Sequence, residues 1–295
     1  MFVLKNAYAP IPTPFENNGE ISYPMLKANL EKWATSRLEG LVVCGSNGEF
    51  TLLDEDEKAA MFAFARKHFP AGRGIIAGTG CESLRATLRL TRKAAEAGCD
   101  AALIVTPWYY KSGMNADVLK AYYTQLADES PIPVILYNMP RNTGVEMNSA
   151  LISELSKHQN IIGIKDSSGN IVQIAETLAH GSKDFAVFAG SASFLYASMV
   201  LGAAGATMAL ANVLPDLCVD LMELCRKGES AKAQELQLSI LGINAAVTSR
   251  FGIGGMKAAC ELMGYYGGPL RKPLRSASPE AVAQIRQMLV NLGAL

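Results

Sequence analysis

Residues 160–168 read Asn-Ile-Ile-Gly-Ile-Lys-Asp-Ser-Ser, or NIIGIKDSS. From Ile161 to Ile164 the β-formers run without polar alternation. That is the pattern of a strand covered on both faces, as in an all-parallel sheet. The run stops on Lys165 and passes at once into Asp166, Ser167 and Ser168. A lysine there is either a strand end snorkelling to water or an amine set in an apolar site. The rest of the chain has to decide between them.

Seven more short apolar runs read the same way: Ala7–Pro12, Gly40–Cys44, Gly74–Gly78, Ala101–Thr106, Val134–Asn138, Phe185–Ala189 and Ala206–Leu210. Between them lie stretches of helical periodicity, among them Tyr23–Arg37, Asp54–His68, Ser83–Ala97, Asn115–Asp128, Asn148–Lys157 and Ile171–His180. Asp54 followed by Glu57 has the form of a capping box, so the acidic cluster there reads as a helix start rather than a metal site. Strands alternating with helices in this number predict an α/β chain folded as a closed (β/α)₈ TIM barrel. An open, doubly wound sheet is the alternative. From about Pro215 onward no strand candidate remains. The pattern predicts helices over Leu217–Arg226, Ser230–Val247, Met256–Met263 and Pro279–Leu292. The expected organisation is a barrel over residues 1–214 and a C-terminal helical extension, 215–295, packed on it.

Bulk composition narrows the function. The chain has 295 residues, 49% of them hydrophobic, and a formal net charge of zero. It is long enough for a large core, and it has no basic surplus with which to neutralise nucleic-acid phosphates. No run of about 18 apolar residues occurs, so no membrane span is expected. The first residues lack a signal-peptide pattern, and the six cysteines form no C-x-x-C pair. The expectation is a soluble, reduced, cytoplasmic protein. His68, His158 and His180 each fall near the end of a predicted helix, where a cation suits the dipole, and no ligand spacing links them. Gly252-Ile253-Gly254-Gly255 follows no strand and has no acid downstream, so it is no dinucleotide fingerprint. Neither a metal nor a cofactor is expected.

In a barrel of this kind, chemistry collects at the carboxyl ends of the strands. Strand two ends in Gly45-Ser46-Asn47-Gly48-Glu49, strand four in Thr106-Pro107-Trp108-Tyr109-Tyr110, strand five in Tyr137-Asn138 and strand seven in Gly190-Ser191. Hydroxyls, a phenol and the amine of Lys165 would share one rim. Apolar walls favour the neutral form of an amine, the form that adds to a carbonyl. The resulting imine can take the electron pair of a breaking carbon–carbon bond, with no metal or cofactor needed. Such steps need a proton carrier within reach, and Tyr137 is the candidate; a core tyrosine is the other reading. The Ser46–Asn47 turn is either a carboxylate cradle of backbone amides or a plain turn. Tyr109 and Tyr110 could equally pack at a subunit contact.

These residues resemble a known family. The turn Gly45-Ser46-Asn47-Gly48-Glu49, the segment Leu136-Tyr137-Asn138-Met139-Pro140 and the strand Gly163-Ile164-Lys165-Asp166 are similar to motifs of the class I aldolases that include dihydrodipicolinate synthase and N-acetylneuraminate lyase. The likeness extends over essentially the whole chain. It implies a barrel with a C-terminal helical region, a 2-oxo acid as substrate, and a homo-oligomer, usually a tetramer. Lys165 would form the imine, and Tyr137 would shuttle protons with Ser46 and with Tyr109 from a neighbouring subunit. Dihydrodipicolinate synthases carry two threonines where this chain has Ser46 and Asn47. They carry an arginine at the position of Asn142, and here Arg141 lies one residue earlier. The segments GSNGEF, TPWYY, KDSSG and NAAVTSRFGI are most similar to the 4-hydroxy-2-oxoglutarate aldolase group. That likeness implies substrate contacts from Ser46, Asn47, Asn142, Ser167 and Gly190. The reaction it implies is cleavage of 4-hydroxy-2-oxoglutarate, or a related acid, to pyruvate and glyoxylate or another aldehyde. Two alternatives stand beside it: condensation of pyruvate with aspartate semialdehyde, and a catalytically silent barrel that binds 2-oxo acids.

Overall fold

Each apolar run becomes a strand of one closed sheet in the computed structural model, which describes residues 2–295. The strands are β1 (Asn6–Pro10), β2 (Gly40–Val43), β3 (Gly74–Gly78), β4 (Ala101–Val105), β5 (Val134–Asn138), β6 (Ile161–Asp166), β7 (Ala186–Ala189) and β8 (Gly205–Thr207). Every strand runs parallel to the next, and β8 pairs with β1 to close the ring. The closed barrel, rather than the open sheet, is the fold.

Period-two alternation sorts the strand side chains into two sets. Tyr8, Val42, Ile76, Leu103, Ile135 and Phe188 meet in one cluster inside the barrel. The neighbouring positions Leu41, Ile75, Ile104, Leu136 and Ile164 pack outward with the helices. This double covering is why the runs read as continuously apolar. Lys165 belongs to the inward set. It pairs in register with Tyr137 on one side and Phe188 on the other, so a phenol and an amine come to the same level of the barrel.

Helix starts follow the sequence closely. The helix Glu55–His68 opens on the Asp54–Glu57 capping box, with the Asp54 amide donating to Glu57 Oε2 at 2.8 Å. His68 and His180 are the last residues of their helices, and His158 lies 3.0 Å from Asp128. Among the described residues, no group of three His, Cys, Asp or Glu gathers as a metal site. No helix there is long and apolar enough to cross a membrane. The six cysteines are unpaired, and burial pushes the Cys260 thiol up to about 12.

Differences arise where polar side chains close the backbone. The eighth strand was expected over Ala206–Leu210 and instead stops at Thr207, giving way to a tight turn over Ala209–Asn212. Asn212 Nδ2 donates to Pro10 O at 3.0 Å and to Ala209 O at 3.1 Å, which fixes that turn. The helix expected over Ser230–Val247 breaks into Ser230–Ser239, Leu241–Ala245 and a wide π-type turn over Ala246–Arg250. Thr248 Oγ1 donates back to Asn244 O at 2.5 Å, the hydroxyl-to-backbone bond that distorts helices.

The C-terminal helices pack into the same apolar core as the barrel. Trp33 shows the junction. It is fully buried, donates Nε1–H to Asn212 O at 3.2 Å and stacks on Tyr265 with ring centres 5.1 Å apart. Trp33→Ala should cost about 3–5 kcal/mol through lost burial and a cavity. A fall in the urea midpoint at unchanged slope would report it.

Candidate active site

Lys165 sits at the carboxyl end of β6, only 5% exposed, with its stem held in the barrel mouth. Its Nζ lies 4.3 Å from the centre of the Tyr137 ring, and among the described residues it has no carboxylate partner. The Tyr137 hydroxyl lies 3.3 Å from Ser46 Oγ. Amine, phenol and serine hydroxyl therefore form one short chain across β6, β5 and the turn after β2.

The turn itself is built from both ends. Ser46–Gly48 makes a single 3₁₀ turn. Gly48 O accepts from Thr13 Oγ1 at 2.7 Å, and a Cβ on Gly48 would stand 3.1 Å from Ile11 O. Glycine thus lets this turn lie flat on the end of β1. Asn47 Nδ2 reaches Met256 Sδ at 2.7 Å, so one anchor comes from the C-terminal region.

Opposite the turn, Asp166 organises the loop that bears Ser167. Its side chain faces away from Lys165 and takes bonds from Asn138 Nδ2 at 3.1 Å, Gln173 Nε2 at 2.9 Å and the Ser168 amide at 2.8 Å. The Gly190 amide donates to Asp166 O at 2.7 Å. A Cβ on Gly190 would fall 1.9 Å from Ser167 Oγ and 2.6 Å from Asp166 O. Only glycine allows the β7 loop to approach the β6 loop this closely.

Together these parts bound a cleft of about 520 Å³. Ser46, Asn47, Tyr137, Asn142, Lys165, Ser167 and Gly190 all line it. Tyr109 does not: it is 74% exposed, with its ring against Tyr110 and its amide donating to Glu82 at 3.0 Å. Two further contributions were not read from the sequence. Arg141 lines the cleft beside Asn142, because the turn Pro140–Thr143 holds both residues at the rim. Val247, Thr248 and Ser249 form a wall from the C-terminal region. Lys165 and Arg141 are the charged lining residues, and no carboxylate joins them. The cleft suits an anion with a carbonyl near Lys165.

Comparison with known proteins gives the barrel a family. The family model described as the dihydrodipicolinate synthetase family matches residues 3–292. The chain belongs to that family. It is a class I aldolase, and so a carbon–carbon lyase. A 4-hydroxy-tetrahydrodipicolinate synthase from Methanothrix thermoacetophila is 32% identical, over 99% of this chain and 98% of its own. A probable mitochondrial 4-hydroxy-2-oxoglutarate aldolase from Emericella nidulans is 33% identical, over 97% of this chain and 94% of its own. Among solved structures, a prophage protein of the same family from E. coli K12, in complex with pyruvate, superposes with a TM-score of 0.93. The two are 28% identical and cover each other completely. Both sequence relatives and the barrel geometry fit an enzyme of this family acting on a small molecule.

Proposed function

We propose that this aldolase cleaves 4-hydroxy-2-oxoglutarate, or a closely related 4-hydroxy-2-oxo acid, to pyruvate and glyoxylate or another aldehyde. The observation that carries the reading is the Lys165–Tyr137–Ser46 chain, with Nζ 4.3 Å from the phenol ring and the two hydroxyls 3.3 Å apart. The Lys165 amine, as its free base, adds to the 2-oxo carbon, and Tyr137 gives its proton to the departing hydroxyl, so that water leaves a protonated imine and a phenolate. The substrate carboxylate rests on the Ser46–Asn47 turn. Tyr137, backed by Ser46, takes the proton of the 4-hydroxyl as the C3–C4 bond breaks. The bond's electrons pass into the imine to give an enamine, and the aldehyde departs. Protonation of C3 and hydrolysis then release pyruvate and free the amine.

Asn142, Ser167 and Gly190 also line the cleft and are assigned to the far half of the substrate. Tyr109 is assigned to the relay of a neighbouring protomer in a homo-oligomer, which its exposed ring supports. Six unpaired cysteines suit a cytoplasmic setting. The second reading, condensation of pyruvate with aspartate semialdehyde, draws support from Arg141 at the rim, a cation able to hold a second carboxylate.

Borohydride added in the presence of pyruvate is expected to fix a mass increment on Lys165. No labelling, or labelling of another lysine, would overturn the imine assignment. Pyruvate-coupled rates with glyoxylate and with aspartate semialdehyde, compared side by side, then choose between the two reactions.

A further inference from the structure

A buried ion pair remains that the reaction does not use. Glu49 ends the Ser46–Gly48 turn with φ +58°, a left-handed conformation that a non-glycine residue keeps only when its surroundings fix it. What fixes it is on its side chain. Glu49 Oε1 lies 2.7 Å from Lys257 Nζ, and both side chains are out of solvent, at 0% and 2% exposure. Glu49 Oε2 accepts the Arg271 amide at 3.0 Å, and Lys257 Nζ donates to Pro269 O at 2.8 Å. Phe15 closes the site, its ring centre 4.7 Å from that ammonium. The residue before Lys257 is Met256, whose sulfur holds Asn47.

We propose that the Glu49–Lys257 pair is a positioning device through which the C-terminal region sets the Ser46–Asn47 turn for the carboxylate of pyruvate. Neither residue lines the catalytic cleft, so each acts through the turn. Two charges buried together are a poor source of net stability. Their geometric effect is specific: they fix the left-handed residue that aims the turn, while Met256 fixes the side chain at its centre. The inference rests on the imine reading, because it assigns the turn to the carboxylate end of the 2-oxo acid.

The test uses the unaltered enzyme and variants of the pair: Glu49→Gln, Lys257→Met and the double variant. Two quantities are read: the pyruvate concentration that half-saturates borohydride trapping at Lys165, and the KM for glyoxylate in condensation at saturating pyruvate. The pyruvate half-saturation should rise about tenfold in each single variant, the scale of one charge-assisted hydrogen bond. The glyoxylate KM should stay within about twofold, and the double variant should match the singles, because coupled residues are not additive.

An unchanged pyruvate half-saturation in a folded variant overturns the proposal. So does a parallel rise of both constants, which is what general loosening would give. Glu49→Gln keeps the shape and the acceptor for the Arg271 amide, so it is the variant best placed to fold. Met256→Leu probes the same link without touching the pair and should raise the pyruvate constant about threefold, a fraction of one hydrogen bond; no rise there also counts against it. Absence of trapping in the unaltered enzyme sinks the imine reading itself, whereas normal trapping with unmoved variants sinks this inference alone.

Discussion

Lys165→Ala is expected to lower cleavage by about 10⁵-fold or more, the scale at which enzymes lose activity with their covalent nucleophile. The reason is chemical rather than structural. Without the amine there is no imine, and the electron pair of the C3–C4 bond has only an unactivated ketone to enter. Each factor of ten corresponds to about 1.36 kcal/mol of barrier, so the loss amounts to about 7 kcal/mol. The fold should tolerate the change, since among the described residues Lys165 has no ion-pair partner to strand. Lys165→Met, which keeps the stem that packs over Tyr137, should fold as the parent does and be equally inactive. Thermal unfolding and pyruvate release on the same preparations check both halves. Cleavage within about tenfold of the parent in Lys165→Met would falsify the nucleophile assignment, because the remaining cleft residues have no substitute amine at that level of the barrel.

That Lys165 could be picked out at all follows from how a barrel strand is covered. The run Ile161–Ile164 is packed by the barrel interior on one side and by helices on the other. Its apolar continuity is therefore visible in one dimension, and the polar residue that ends it marks the rim. The same logic located Ser46, Asn47, Ser167 and Gly190 on neighbouring strand ends. Other features depend on contacts distant in sequence. Asn212, which stops the eighth strand, does so by bonding Pro10 on the first. Glu49 meets its partner Lys257 only once the C-terminal helices fold back over the barrel. Arg141 and Asn142 both reach the cleft because Met139, at φ −135° and ψ 60°, turns the chain before Pro140. Sequence spacing gave no sign of that direction. The stretch Ser230–Val247 read as uninterrupted helix because each of its residues tolerates helix; the wide turn that begins at Ala246 is fixed from just beyond it, by the Thr248 bond to the backbone of Asn244.

Tyr137→Phe should separate imine formation from bond cleavage. The substitution removes one oxygen and leaves the ring beneath Lys165, so the packing that holds the amine survives. It also removes the Ser46 Oγ partner at 3.3 Å. A general acid–base group is worth about 10²–10⁴-fold in rate, and a loss of about 10³-fold in kcat is expected here. The proton of the 4-hydroxyl then has no positioned acceptor at the moment C3–C4 breaks, although Lys165 can still condense slowly with pyruvate. Trapping by borohydride after long incubation should therefore still label Lys165 in Tyr137→Phe, at a reduced rate. Ser46→Ala should follow the same pattern with a smaller loss, about tenfold to a hundredfold, because it supports the relay rather than touching the leaving proton. The double variant is informative: a linear relay predicts that Ser46→Ala adds little once Tyr137 is Phe, since the serine then has nothing to pass a proton to. Full additivity would mean that Ser46 acts on the substrate carboxylate alone, and the relay would reduce to Tyr137.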